Sequence, residues 1–247
     1  MPARLNLFVF GHMRSYSSLL CHILGSHPEI DGYCETHIKY RSYFDLLRLR
    51  RRVVKLTGEP LRGRYVLDKV LHDYPLARSI LRSRSARAVV LLRKPKATVR
   101  SIMNMGLRYS DIAWYRDLDA VARYYETRLH SLVHLADQMQ GRILLLEAEE
   151  LLSDTVAVLW RLGSFLELRE PLQSSYRRFA HTGEAGYGDP SPTLAKGEVT
   201  RERESQPEII LPEPIVARLE EAYRACTGAL SARSSVRNSY LPSSYHR

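Results

Sequence analysis

Between Gly11 and Ser18 the chain reads Gly-His-Met-Arg-Ser-Tyr-Ser-Ser, a turn rich in hydroxyls that follows the apolar run Leu5 to Phe10. The first N–H groups of a helix lack intrahelical partners and sit at the positive end of the helix dipole, so a turn leading into a helix can hold an anion. Arg14 and the hydroxyls of Ser15, Ser17 and Ser18 would add donors to such a cradle. The same residues also suit an ordinary strand-to-helix connection. The pattern GxxxxGK[ST] of nucleoside-triphosphate loops is not met, because Tyr16 or Ser17 stands where its lysine would fall. A second basic turn, Arg93-Lys94-Pro95-Lys96, precedes Ser101. A guanidinium leaving a strand end and a hydroxyl one helical face further on can meet at one phosphate, whereas a solvated basic helix start is the plainer alternative.

Glu35, in Gly-Tyr-Cys-Glu-Thr-His, is a candidate general base: a carboxylate beside a hydroxyl can remove its proton, and burial raises its pKa toward the useful range. His37 competes for that role. Lys69 follows Tyr65-Val66-Leu67-Asp68 at a strand end, where a cation can stabilise charge on a leaving oxygen. A surface glutamate, a structural histidine and a solvent-facing lysine are the alternatives, and His72 shares the same ambiguity.

These residues need a scaffold of alternating strands and helices. Apolar runs predict strands over 5–10, 65–67, 86–92 and 142–146, and helical spacing predicts helices over 17–24, 40–56, 75–81, 96–105, 118–139, 155–166 and 214–230. Gly25-Ser26-His27-Pro28 stops the first helix, with the glycine expected at its C-terminal cap. Such alternation implies a three-layer α/β/α fold with a central parallel sheet. One domain is expected over 1–230, followed by a polar tail, 231–247, that is expected to be loosely ordered. The stretch 174–214 is rich in Gly, Pro, Ser and charge, and reads as a long loop, of a length that is either functional or disordered.

With both basic turns in this order, the chain resembles the sulfotransferases that use 3′-phosphoadenosine 5′-phosphosulfate (PAPS). Arg14-Ser15-Tyr16-Ser17-Ser18, running on to His27-Pro28, is similar to their RSGSS- or RSGTT-like 5′-phosphosulfate loop, with Tyr16 in place of the glycine. Arg93 to Ser101 is similar to their RDPRAxxxS segment at the 3′-phosphate, with Lys94 and Lys96 replacing Asp and Arg. Glu35-Thr36-His37 resembles the Glu-Thr-Arg segment of the tyrosylprotein branch. Arg142 to Leu151 and Gly188-Asp189-Pro190-Ser191 are looser similarities. The resemblance implies a P-loop-like fold, PAPS as donor with the bisphosphate PAP as product, and a hydroxyl-bearing acceptor that is a carbohydrate, lipid, natural product or peptide. It implies catalytic roles for Glu35 (or His37), Arg14 and Lys69, nucleotide contacts from Arg14 to Ser18, Arg93 and Ser101, and a lid containing Lys196 and Gly197. No metal is expected.

Composition bounds the alternatives. Lys and Arg number 37 against 27 Asp and Glu, a formal net charge of +10, which fits a polyanionic partner of some kind. A P-loop-type phosphoryl transferase and a nucleic-acid or polyanion binder, the latter suggested by Arg48, Arg50, Arg51 and Arg52, are the rival readings; no nucleic-acid partner is expected. Cys21, Cys34 and Cys226 form no CxxC pair, and the apolar run after Met1 is too short for a signal peptide or a membrane span. A cytoplasmic location is therefore expected. Neither the oligomeric state nor the acceptor follows from the sequence.

Overall fold

The computed structural model describes residues 4–108, 111–184, 186–189, 192–201 and 207–235. Five strands run in parallel in the order β2-β3-β1-β4-β5: β1 (Leu5–Gly11), β2 (Ile30–Asp31), β3 (Tyr65–Val70), β4 (Ala86–Leu92) and β5 (Ile143–Glu147). β1 lies between β3 and β4, with Phe8 opposite Asp68 on one side and Ala88 on the other. From this central strand the chain crosses to the edge at β2, returns inward through β3, and then continues on the other side of β1 with β4 and β5. The turns after β1 and β4 therefore open at the place where strand order reverses, the usual ligand crevice of an open parallel sheet.

Strand alternation sorts the core into two layers. Phe8, Phe10, Val66, Val70, Ala88 and Val90 face one cluster, and Leu7, Val9, Leu67, Val89, Leu91 and Leu144 face the other. The first face is covered by α2 (Phe44–Thr57), α3 (Arg78–Arg82), α4 (Pro95–Arg108), α5 (Leu118–Asp137) and α8 (Glu213–Ser231). The second is covered by α1 (Ser17–Gly25), α6 (Glu150–Ser153) and α7 (Thr155–Leu166). Both faces are thus buried by helices, which is why the strands read as continuous apolar runs. No helix among the described residues is long and apolar enough to cross a membrane.

Several boundaries differ from expectation for local reasons. The basic helix starts at Phe44 rather than Tyr40, because Asp45 accepts hydrogen bonds from the backbone N–H groups of Arg41 and Ser42 and turns the chain there. Gly25 lies inside α1 rather than capping it, and Ser26 is the cap in a right-handed conformation. A Cβ on Gly25 would stand 2.4 Å from the Gly32 carbonyl oxygen, so close approach of two backbones is what requires glycine. The start of the polar tail is tied down, since Ser235 donates its N–H to the Ile143 carbonyl at 2.9 Å and Ser234 Oγ accepts from Leu145 N; residues 236–247 lie outside the described residues.

Arg128, fully buried on α5, binds the strand ends beside the crevice. Its Nε donates to the Gly11 carbonyl and Nη2 to the Val70 carbonyl, each at 2.7 Å, while Nη1 pairs with Asp73. One side chain thereby satisfies the carbonyls at the C-terminal ends of β1 and β3 that the sheet leaves unpaired.

Candidate active site

The turn after β1 takes its shape from two left-handed residues, Arg14 (φ 63°) and Tyr16 (φ 60°). Such a conformation is costly for a residue with a side chain and persists only where surrounding contacts enforce it. Those contacts are present. Ser15 Oγ donates to the His12 carbonyl at 2.8 Å, and the Arg93 guanidinium donates to the Arg14 carbonyl at 2.9 Å. That same guanidinium stacks on the Tyr16 ring, 4.5 Å from its centroid. Tyr16 therefore meets the backbone demand that glycine would meet, and its ring packs under Arg93.

His12 joins the two turns. Its Nδ1–H donates to the Met13 carbonyl at 2.9 Å, leaving Nε2 to accept the Arg93 N–H at 3.0 Å. Only the neutral ring can do both, and complete burial lowers its pKa to about 4. Arg14 then bridges to α4, where its Nε donates to Ser101 Oγ at 3.0 Å. Ser101 is thus joined to Arg14 rather than directly to Arg93, and the two basic turns form one connected surface. Glu149, beyond β5, lies beside it with Oε1 3.9 Å from Arg93 Nε.

Glu35 and Lys69 reach the crevice from the β3 side. Asp68 and Lys69 are consecutive on β3, so their side chains leave opposite faces. The Asp68 carboxylate accepts from Thr36 N at 2.9 Å, Thr36 Oγ1 at 2.7 Å and the Tyr40 hydroxyl. Burial raises its pKa to about 6 against the lowering effect of those donors. Lys69 Nζ, also buried, donates to Ser18 Oγ at 3.2 Å.

Glu35 is 6% exposed, and its Oε1 has no hydrogen-bond partner among the described residues. His37 Nδ1 stands 3.8 Å from it, beyond hydrogen-bond length. The proton of His37 is committed elsewhere, since Nε2–H donates to the Gly186 carbonyl at 2.8 Å.

Arg14, Ser18, Glu35, His37 and Lys69 line one cavity of about 280 Å³. Across it runs a strap, Gly186 to Asp189: the Gly186 carbonyl binds His37, Asp189 N donates to Ser18 Oγ at 3.0 Å, and Asp189 Oδ1 pairs with Arg14 Nη1 at 2.7 Å. A Cβ on Gly188 would lie 3.0 Å from Ser18 Oγ, which explains a glycine at that point. Because Lys69 and Asp189 both donate to Ser18 Oγ, the Ser18 hydroxyl hydrogen is left to point elsewhere. Pro190 and Ser191 lie outside the described residues.

Ser15 and Ser17 are buried in the turn and at the start of α1. Lys196 and Gly197 do not line the cavity: Lys196 is exposed at the end of a short 3-10 turn, Pro192–Lys196, and the Gly197 carbonyl accepts from Tyr176 N at 2.7 Å. The part of the glycine-rich segment that closes on the site is the strap. Sequence reasoning missed Asp189 as the partner of Arg14, and also His12, Asp68 and Arg128, whose importance comes from strand ends that meet only in the fold. The one sequence signal for Asp68 was its place beside Lys69.

The parallel sheet with helices on both faces, and the crevice where the turns after β1 and β4 meet, define an α/β/α scaffold of the open, doubly covered kind. The sulfotransferase domain of the curacin biosynthetic pathway is similar, with a TM-score of 0.56 at 15% identity over 93% of this chain and 99% of its own length. The sulfotransferase from Alicyclobacillus acidocaldarius is similar too, with a TM-score of 0.55 at 15% identity over 93% of this chain and 95% of its own. The chain has the sulfotransferase fold. No family model matches its sequence, and no curated protein matches it.

Proposed function

We propose that the chain transfers a sulfuryl group from PAPS to the hydroxyl of an acceptor. The observation that carries this reading is the meeting of Glu35, Lys69, Arg14 and Ser18 around one cavity, a buried carboxylate facing an anion cradle. Sulfuryl transfer, like phosphoryl transfer, is an in-line displacement with a loose transition state, so positioning and charge stabilisation are what a protein supplies. Glu35 Oε1, buried without a donor, takes the acceptor proton as the new S–O bond forms. Lys69 stabilises the bridging oxygen that keeps the electron pair of the breaking S–O bond, and Arg14 with Ser18 and the start of α1 hold the equatorial and 5′-phosphate oxygens. Arg93 and the Ser101 region supply the 3′-phosphate contacts. Asp189 must yield Arg14 when the anion arrives.

The three cysteines are free and buried, which is compatible with the reducing cytoplasm that this reading assumes. The test is Glu35→Gln, assayed by single turnover and by titration with PAP. Turnover is expected to fall by about 10²- to 10⁴-fold with PAP affinity nearly unchanged. Equal loss of both would remove Glu35 from the role of base.

A further inference from the structure

The basic stretch before and along α2 builds a second concavity beside the first. Lys39, Arg41, Arg48, Arg51, Arg52 and Lys55 line a groove of about 610 Å³ in which Asp45 is the one carboxylate among the described lining residues. Asp45 is already engaged, accepting from the N–H groups of Arg41 and Ser42 and from Arg48 Nη1. Among the described residues the other five cations of the groove form no ion pair. Six cations brought this close repel one another, and a helix face with no binding role is more economically built with acids interspersed.

The groove adjoins the cavity, because His37 lines both. The cavity has a different character: beside Glu35 it is walled by Met13, Leu71, Met105, Ile112 and Tyr115. Such walls suit an apolar or aromatic body carrying one hydroxyl, whereas a sugar ring would bring several hydroxyls that each need a polar partner. From Arg48 to Lys55 the helix rises about 10 Å, enough to meet more than one anionic group.

Resting on the sulfuryl-transfer reading above, we infer that the acceptor is an anionic amphiphile. Its hydroxyl stands on an apolar or aromatic body that enters the cavity at Glu35, and its anionic part, carrying two or more phosphate, sulfate or carboxylate charges, passes His37 and lies in the α2 groove.

The experiment compares two acceptors with PAPS as donor: a phenol joined through a short alkyl chain to a bisphosphonate, and the same phenol ending in the neutral bisphosphonate ester. Both are assayed on the wild type and on two charge reversals, R48E/R52E and R51E/K55E, and PAP affinity is measured for all three proteins. The wild type is expected to favour the charged phenol by at least about tenfold in kcat/KM, and each reversal to erase that preference. Rates with the neutral ester and PAP affinity are expected to stay unchanged. Normal PAP binding with no preference for the charged phenol overturns the inference while leaving the transfer reading intact. Competition by single-stranded DNA as strong as that by the charged phenol overturns it in favour of a nucleic-acid surface. Absence of PAP binding in the wild type overturns the transfer reading, and this inference with it.

Discussion

Asp68 grips Thr36 twice, by its backbone N–H at 2.9 Å and by its hydroxyl at 2.7 Å, and so fixes the residue next to Glu35 to the central sheet. Among the described residues Glu35 Oε1 has no such tether. The carboxylate read as base is held by its neighbour in the chain, so Asp68 is a positioning residue.

Asp68→Asn is therefore expected to lower kcat by about tenfold to a hundredfold, because an amide cannot accept from all three donors and the Glu35 segment shifts. PAP affinity is expected to change little. Single-turnover assays with a parallel PAP titration check this; a loss confined to PAP binding would contradict it.

The same residue sets a pH dependence. The Asp68 pKa is raised from 3.8 to about 6 in the folded chain, so the folded state holds a proton there that the unfolded state has released, and Asp68 makes stability fall as pH rises through about 4 to 6. The neutral ring of His12, with its pKa lowered from 6.5 to about 4, acts in the opposite sense: its contribution is full above about 6.5 and is lost as pH falls toward 4. Buried His22, which contacts the Ser18 carbonyl and Thr182, is lowered to about 4 as well and adds to the histidine effect. The two histidines outweigh the one aspartate, so urea denaturation is expected to show net loss of stability on going from pH 6.5 to 4.5. In Asp68→Asn that acid loss is expected to be steeper, by up to about 2 kcal/mol across the window. An unchanged or shallower slope would contradict the assignment.

The strap supplies a third expectation. On the sulfuryl-transfer reading Asp189 and the donor nucleotide compete for Arg14, and the Arg14–Asp189 pair is partly exposed, at 18% and 27% of the two side chains, so solvent screening limits its strength to about 1 kcal/mol. Asp189→Asn is expected to tighten PAP binding by about fivefold, the equivalent of that energy. Weaker binding in calorimetry would mean that Asp189 shapes the cradle rather than occupying it.

The strands were readable from the sequence where burial on both faces gives a long apolar run: Ala86 to Leu92 is a strand over its whole predicted length. Thr155 to Leu166 was readable as a helix because its apolar spacing is unbroken. β2, only two residues long, carries no periodic signal and exists because Ile30 and Asp31 can pair with β3. Glu35, Lys69, Arg14 and Ser18 were legible as chemistry-bearing residues, and the fold brings them to one cavity. What holds them was not legible. His12 binding Arg93, Asp68 binding Thr36 and Arg128 binding the strand ends are contacts across 81, 32 and more than 50 residues of sequence, and each depends on turns and strand ends that meet only in the fold. The conformation of Tyr16 was hidden for the same reason, since only the Arg93 guanidinium above its ring explains how tyrosine occupies a left-handed position.

Calorimetric titration with PAP, set beside 5′-AMP and ATP with magnesium, tests the central claim most directly, because it needs no knowledge of the acceptor. PAP is expected to bind at least about a hundredfold more tightly than 5′-AMP, and Arg93→Ala to weaken PAP by about 2 to 5 kcal/mol through loss of a partly buried charged contact. Equal affinity for PAP and 5′-AMP, or a preference for ATP with magnesium, would contradict the assignment of this cradle to a PAPS-type donor.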